Sequence, residues 1–306
     1  MKIHLKTTLK RTFRQINSII SSSTIQQRLG YPKNSKLLII HADDLGMSPS
    51  ENSASIDAME KGIVNSGSIM VPCPGFSEIA EYSKSHPGAD IGIHLTLTSE
   101  WKNYRWGPVL PPDEVPGIVD QNGFLFESVA EVSGKGDPDE AEKEFRAQIN
   151  LAIKSGVDLT HIDTHMFSAF ANSGILKKYI SLGKEYKLPV LLIHDLPVHD
   201  PDRKNAVIVD RLIYARAEDN VNGLSNFYRT VMGSMKPGLN CILIHIAFDN
   251  KDMRDITLDQ VNYGSAWRQA DFDFFTGDEC RQLIEKNNIQ LITWREIRDK
   301  LIRKLK

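Results

Sequence analysis

From residue 36 onward, short runs of apolar and β-branched residues alternate with longer segments of helical period, and this order restricts the chain more than any other feature in it. Strands separated by helix-length segments pair in parallel, with the crossover helices covering the sheet. The expected strands are 36–42, 67–71, 90–97, 159–163, 190–194, 240–246 and 290–294, and the expected helices are 51–61, 77–84, 137–155, 175–186, 221–235 and 277–286. The fold class is therefore expected to be α/β, a TIM-like (β/α) barrel of about seven strands, short of a complete set of eight. The helix starting near Asp137 carries its own boundary signals. Pro138 fits a first turn, Asp139, Glu140 and Glu142 complement the positive dipole end, and Gly156 follows the last turn. Two stretches, 99–136 and 194–220, exceed ordinary connector length, and long loops after strands commonly shape a pocket.

No internal repeat or linker divides the 306 residues, so a single barrel domain is expected over 36–306, preceded by an extension, 1–35. The first 42 residues contain no Asp or Glu but carry Lys2, Lys6, Lys10, Arg11, Arg14, Arg28, Lys33 and Lys36. Their apolar run over 16–25 is broken by Asn17 and a Ser/Thr cluster, which does not suit a secretory signal. The extension is expected to be poorly ordered or a short helix, and the protein cytoplasmic, with the periplasm or secretion left open. A net charge of -2 gives no global basic field for nucleic acid, and no stretch approaches the ~20 apolar residues of a membrane span. The expected partner is a small molecule, and a homodimer is compatible with this. Cys73, Cys241 and Cys280 lie too far apart for a zinc knuckle or redox pair, and are expected to be thiols without chemistry.

Chemistry concentrates at strand ends. The apolar run Leu37-Leu38-Ile39-Ile40 stops at His41-Ala42-Asp43-Asp44-Leu45-Gly46. Where the backbone leaves the sheet, both carboxylates can enter one pocket, and a cation on one leaves the other available as a base. The plainer alternative is an acidic cap on the helix that follows. His94 interrupts the apolar run 91–97, a placement that on its own suits a hydrogen-bonded core residue. In Thr160-His161-Ile162-Asp163-Thr164-His165, alternation puts His161, Asp163 and His165 on one side. One imidazole could bind metal while Asp163 holds a neighbouring ring in its tautomer. His245 ends a fourth apolar strand. Four strands ending in Asp or His imply convergence on one pocket at the carboxyl-terminal face of a barrel. A carboxylate with two imidazoles leaves positions open for water and substrate, with Asp43 a candidate base and His245 a candidate acid.

HADDLG, GIHLTLT and THIDTH, in this order and spacing, resemble the YdjC-like carbohydrate deacetylases over residues 36–299. The resemblance implies a (β/α) barrel and metal-dependent removal of an N-acetyl group from an amino sugar or short chitooligosaccharide. It implies one divalent cation, Mg²⁺ or Zn²⁺, held by Asp44, His94 and His165, with Asp43 as general base, His245 as acid and Arg268 orienting the base or the acetyl oxygen. The chain departs from the family pattern in having Ile246-Ala247 where Pro-Gly usually follows the histidine. It also has Phe167 in place of a further histidine, and Leu191-Leu192-Ile193 where an arginine is common. Trp101, Tyr104 and Trp106 are expected either to stack on a sugar or to pack. The competing readings are a metal-dependent phosphoester or lactone hydrolase, a non-haem iron oxygenase on an all-β scaffold, and a carbohydrate-binding relative without catalysis.

Overall fold

The first strand is buried on both faces, and the clusters those faces join set the architecture. In β1 (Lys36–Leu45), Leu38, Ile40 and Ala42 join the large apolar cluster under the helices, while Leu37 and Ile39 join a second cluster with Leu239, Cys241 and Trp294. One face of the strand therefore looks outward to helices and the other into the barrel. The computed structural model describes residues 23–193, 196, 206–258 and 260–304. The expectations placed on residues 1–22 and on His194 lie outside them.

The remaining strands are β2 (Ser66–Ile69), β3 (Ile91–Leu95), β4 (Ile162–Thr164), β5 (Val190–Leu192), β6 (Ala206–Ile208), β7 (Arg211–Ile213), β8 (Gly238–Ile244) and β9 (Ile289–Leu291). All pairings are parallel, in the order β6-β5-β4-β3-β2-β1-β8-β7, with β9 beside the first half of β1. The two ends of that order are successive parts of one extended segment: Val209 N donates to Leu192 O, and Asp210 N donates to Leu239 O. The segment thus passes from β5 to β8, and the curled sheet runs round in chain order as about seven strands, the expected number but not the expected set: 206–213, read as loop, supplies a strand, whereas the expected last strand is cut to β9, which pairs with β1 off the main path.

Helices with capped starts cover the outside. Ser48 accepts from Glu51 N at the head of Pro49–Glu60, and Asp137 accepts from Asp139 N and Glu140 N at the head of Pro138–Lys154. Within the expected extension, Ile25–Leu29 forms a helix whose Leu29 is buried in the barrel-floor cluster. The first long loop is more structured than anticipated. It contains two 3₁₀ turns and the helix Val129–Lys135, and Glu144 holds it by accepting from Val109 N and Leu110 N.

Trp294, expected in the last strand, instead opens the helix Trp294–Ile297. The buried Asp90 carboxylate accepts from both Trp294 N and Arg295 N at 2.8 Å, which turns the backbone out of the sheet. The helix Ser265–Thr276, which carries Arg268, was not anticipated; no side chain caps its Gly264 start, so it lacks the usual signal. Among the described residues no helix is long and apolar enough to cross a membrane.

Candidate metal and catalytic site

The barrel interior changes character along its axis. Above the floor of Leu37, Leu239 and Trp294, the inward positions become His161, His41, Ser66, Ser68, Asp163 and His94, all buried. Gly92 is required here, because a β-carbon on it would lie 2.3 Å from the His161 ring. His161 Nδ1 lies 3.0 Å from Thr160 Oγ1 and its ring stacks on Trp294 at 5.0 Å, so it is a floor residue and not part of the mouth.

Asp43 continues the inward face of β1. Asp44 should then point outward, but its φ of 66° and a register shift between Ala42 and Leu45 against β2 turn the backbone. Aspartate tolerates this left-handed geometry better than most residues. Both carboxylates consequently reach one pocket. On β4, the strand ends at Thr164 and His165 begins a tight turn in which Met166 and Phe167 also have positive φ.

All six expected site residues, Asp43, Asp44, His94, His165, His245 and Arg268, line a single pocket of about 490 Å³. Asp44 Oδ1 lies 3.1 Å from His165 Nδ1 and 3.4 Å from His94 Nε2. Ligands about 2.1 Å from a tetrahedrally held ion are roughly 3.4 Å apart, so the donor set fits a small divalent cation. His94 presents Nε2 to Asp44 because Asp163 Oδ1 holds Nδ1 at 2.8 Å and Ser68 Oγ lies 3.1 Å from it. The role expected for Asp163, fixing a neighbouring ring, has this geometry.

The charges are mutually arranged. Burial opposes ionisation of Asp44, yet His165 and His94 hold its pKa well below the carboxylate range. Burial also disfavours a charged His165, but Glu100 and Asp44 raise its pKa to about 9. Arg268, buried in the helix Ser265–Thr276, donates to Asp44 Oδ2 at 3.2 Å and pairs with Glu51. Its contact is therefore with Asp44 and not with Asp43. His245 is 22% exposed to the pocket, with Nε2 4.0 Å from Asp43 Oδ2 and 3.9 Å from Asp44 Oδ2. Desolvation lowers its pKa against the pull of Asp44.

Three participants escaped the sequence reading. Glu100 lies 3.0 Å from His165 Nε2, Glu51 balances Arg268, and Asp271 accepts from His245 N and from Tyr228 OH. Burial raises Asp271 to about 7, despite these two donors. The Ser99-Glu100 pair a few residues past the His94 strand could have flagged Glu100; nothing local marks the other two. Of the loop aromatics, Tyr104 OH donates to Met47 O and Trp106 Nε1 donates to Thr98 O, so both pack, while Trp101 lines the pocket. Phe167 and Tyr214, with ring centroids 5.7 Å apart, form part of the pocket wall.

The model of the YdjC-like protein family matches residues 37–286. Similar curated proteins include a carbohydrate deacetylase of Thermoanaerobacter pseudethanolicus, 28% identical over 261 residues covering 85% of this chain and 98% of that protein. A carbohydrate deacetylase of Thermus thermophilus is 27% identical over 277 residues, 87% of this chain and 95% of its own. Among solved structures, an Enterococcus faecalis V583 protein named for cellobiose-phosphate cleavage matches with a TM-score of 0.70 at 27% identity, covering 86% of this chain and 99% of that one.

Proposed function

Because this chain belongs to the YdjC-like protein family, matched over residues 37–286, we propose that it is a metal-dependent carbohydrate deacetylase. Its substrate is an N-acetylated amino sugar or a short chitooligosaccharide-like chain. Relatives of nearly full length named carbohydrate deacetylase support the reaction class. The observation that carries the reading is the meeting of Asp44, His94 and His165 within ion-sharing distance, with Asp43 and His245 beside them on the same pocket.

Asp44, His94 and His165 would hold the cation, Mg²⁺ or Zn²⁺. Bound there, it supplies Lewis-acid polarisation of the acyl oxygen and a lowered pKa for water. Asp43 takes a proton at Oδ2, the oxygen on the His245 side, from the water whose oxygen joins the acetyl carbon. As the carbon–nitrogen bond breaks, His245 Nε2 gives a proton to the departing amine, and acetate leaves. His245, with its lowered pKa, rests neutral and must first receive that proton. Asp43 Oδ2, 4.0 Å away, is the group placed to return it. Arg268 fixes the rotation of Asp44 through its second oxygen, and Glu51 neutralises the remainder of the guanidinium charge. Trp101, Phe167 and Tyr214 offer apolar faces to a sugar ring.

The test is acetate release from N-acetylglucosamine oligomers after chelation and after return of individual metals. Acetate release that stops on chelation and resumes with one ion supports the reading. Turnover of aryl phosphates or lactones with no acetate from any oligomer would move the protein to another hydrolase class. Sugar binding without turnover of any substrate would make it a binding relative.

A further inference from the structure

Within the buried polar layer beneath the pocket, Asp163 and Ser68 fix His94, and His41 at its centre has no role yet. Its side chain is fully buried on β1, with Nδ1 3.0 Å from Ser66 Oγ. Nε2 lies 2.9 Å from Asp163 Oδ2, 3.1 Å from Ser68 Oγ and 3.2 Å from Asp43 Oδ1. The His161 ring packs edge-on against it at 4.9 Å, so the imidazole is fixed on its flank as well as at both nitrogens.

Asp43 Oδ1 is buried and makes no hydrogen bond of good geometry; the imidazole 3.2 Å away is its close ion-pair partner. Its other oxygen, Oδ2, faces the His245 side of the pocket. A carboxylate turns easily about its last torsion, and a general base acts only while one oxygen stays aimed at the proton it takes.

We propose that His41 is a positioning residue that anchors Asp43 Oδ1 inside the barrel and thereby presents Oδ2 to the reacting water. The inference rests on Asp43 being the base. His41 Nε2 hydrogen-bonds Asp163 Oδ2 and faces Asp43 Oδ1 as an ion-pair contact at 3.2 Å, and Asp163 in turn holds His94. One buried ring therefore sets the base and the orientation of a metal-ligand candidate against each other.

The same neighbourhood contains a competing arrangement. His41, His161 and Asp163 offer three atoms within 4.8 Å of one another, enough for a second cation. Against it, His41 Nε2 already faces two carboxylates at hydrogen-bond range, and His161 Nε2 stays 3.9 Å from Asp163 Oδ2.

The experiment is a double-mutant cycle on the full chain, with kcat and KM for an N-acetylglucosamine oligomer and metal per chain by elemental analysis. His41→Leu, close in size and without donors, is expected to lower kcat by ~100-fold with KM within about twofold, as misplacement of a catalytic group does. One ion per chain should remain. His41→Gln, whose amide nitrogen can take the place of Nε2, should recover most of the rate. In an Asp43→Asn background, His41→Leu should cost nothing further, because its effect passes through Asp43. If His41→Leu does not fold, His41→Ala takes its place in the cycle.

Additive losses in the double variant, a raised KM at unchanged kcat, or two ions per chain that fall to one on His41→Gln would each overturn the proposal. Full activity of Asp43→Asn alone would remove the base assignment itself, a result that needs no His41 variant.

Discussion

Asp90 at the floor of the barrel is buried as deeply as Asp43 and Asp44 at its mouth, while its neighbour Asp158 is exposed, and the two ends treat these carboxylates differently. At the amino-terminal end, Asp90 accepts from Trp294 N and Arg295 N at 2.8 Å, and Asp158 is held by Arg295 and Arg298. The partners of both carboxylates here are backbone amides and guanidinium groups. At the carboxyl-terminal end, Asp44 meets two imidazoles and one guanidinium while Asp43 keeps an oxygen toward the pocket. What separates the carboxylates at the floor from those at the mouth is saturation: the floor acids accept from backbone amides and arginines, whereas Asp43 keeps an oxygen toward the pocket. Burial alone does not distinguish them.

The sharpest way to break this comparison is at the mouth. Asp43→Asn is expected to lower turnover by ~10³-fold or more, with metal content and melting temperature unchanged. Loss of bound metal instead would add Asp43 to the ligand set. At the floor the expectation is reversed. Asp90→Ala leaves two backbone donors at a helix start without a buried acceptor, and should cost about 2 kcal/mol of stability in denaturant unfolding, with kcat and KM unchanged in the folded protein. A fall in kcat well below the unfolding transition would show that the two ends are coupled. The smallest effect is expected on the pocket wall, where Phe167→Ala removes an apolar face worth about 1 kcal/mol and should raise KM by roughly fivefold with kcat preserved. A kcat effect there would point to the Met166-Phe167 turn, and hence to His165, as the thing disturbed.

Much of this was written in local pattern. The alternation Leu37, Ile39, His41, Asp43 on one face and Leu38, Ile40, Ala42 on the other makes β1 legible as a strand with a polar inner end. The same period two put Asp163 within reach of a neighbouring histidine. Residues on loops and across long separations were not legible. Arg268 finds Glu51 across 217 positions, and Asp271 reaches the backbone of His245 from a helix with no capping signal. Glu100 joins His165 from the start of the first long loop, 65 positions away in sequence. Such pairs depend on how the ring of strands comes together, and no local period encodes that.

The amino-acid sequence by itself determined the parallel alternation of strands and helices and the kinds of group collected at the strand ends, because side-chain periodicity and residue chemistry are local properties. Only the tertiary structure decided which of two adjacent aspartates meets the imidazoles, and which histidine of THIDTH lies at the mouth. A left-handed turn at Asp44 swings its side chain back to the inner side, and His161 sits lower in the barrel against Trp294 while His165 stands past the last paired residue. Those outcomes follow from backbone direction and depth along the barrel axis, which exist only once the strands have closed on one another.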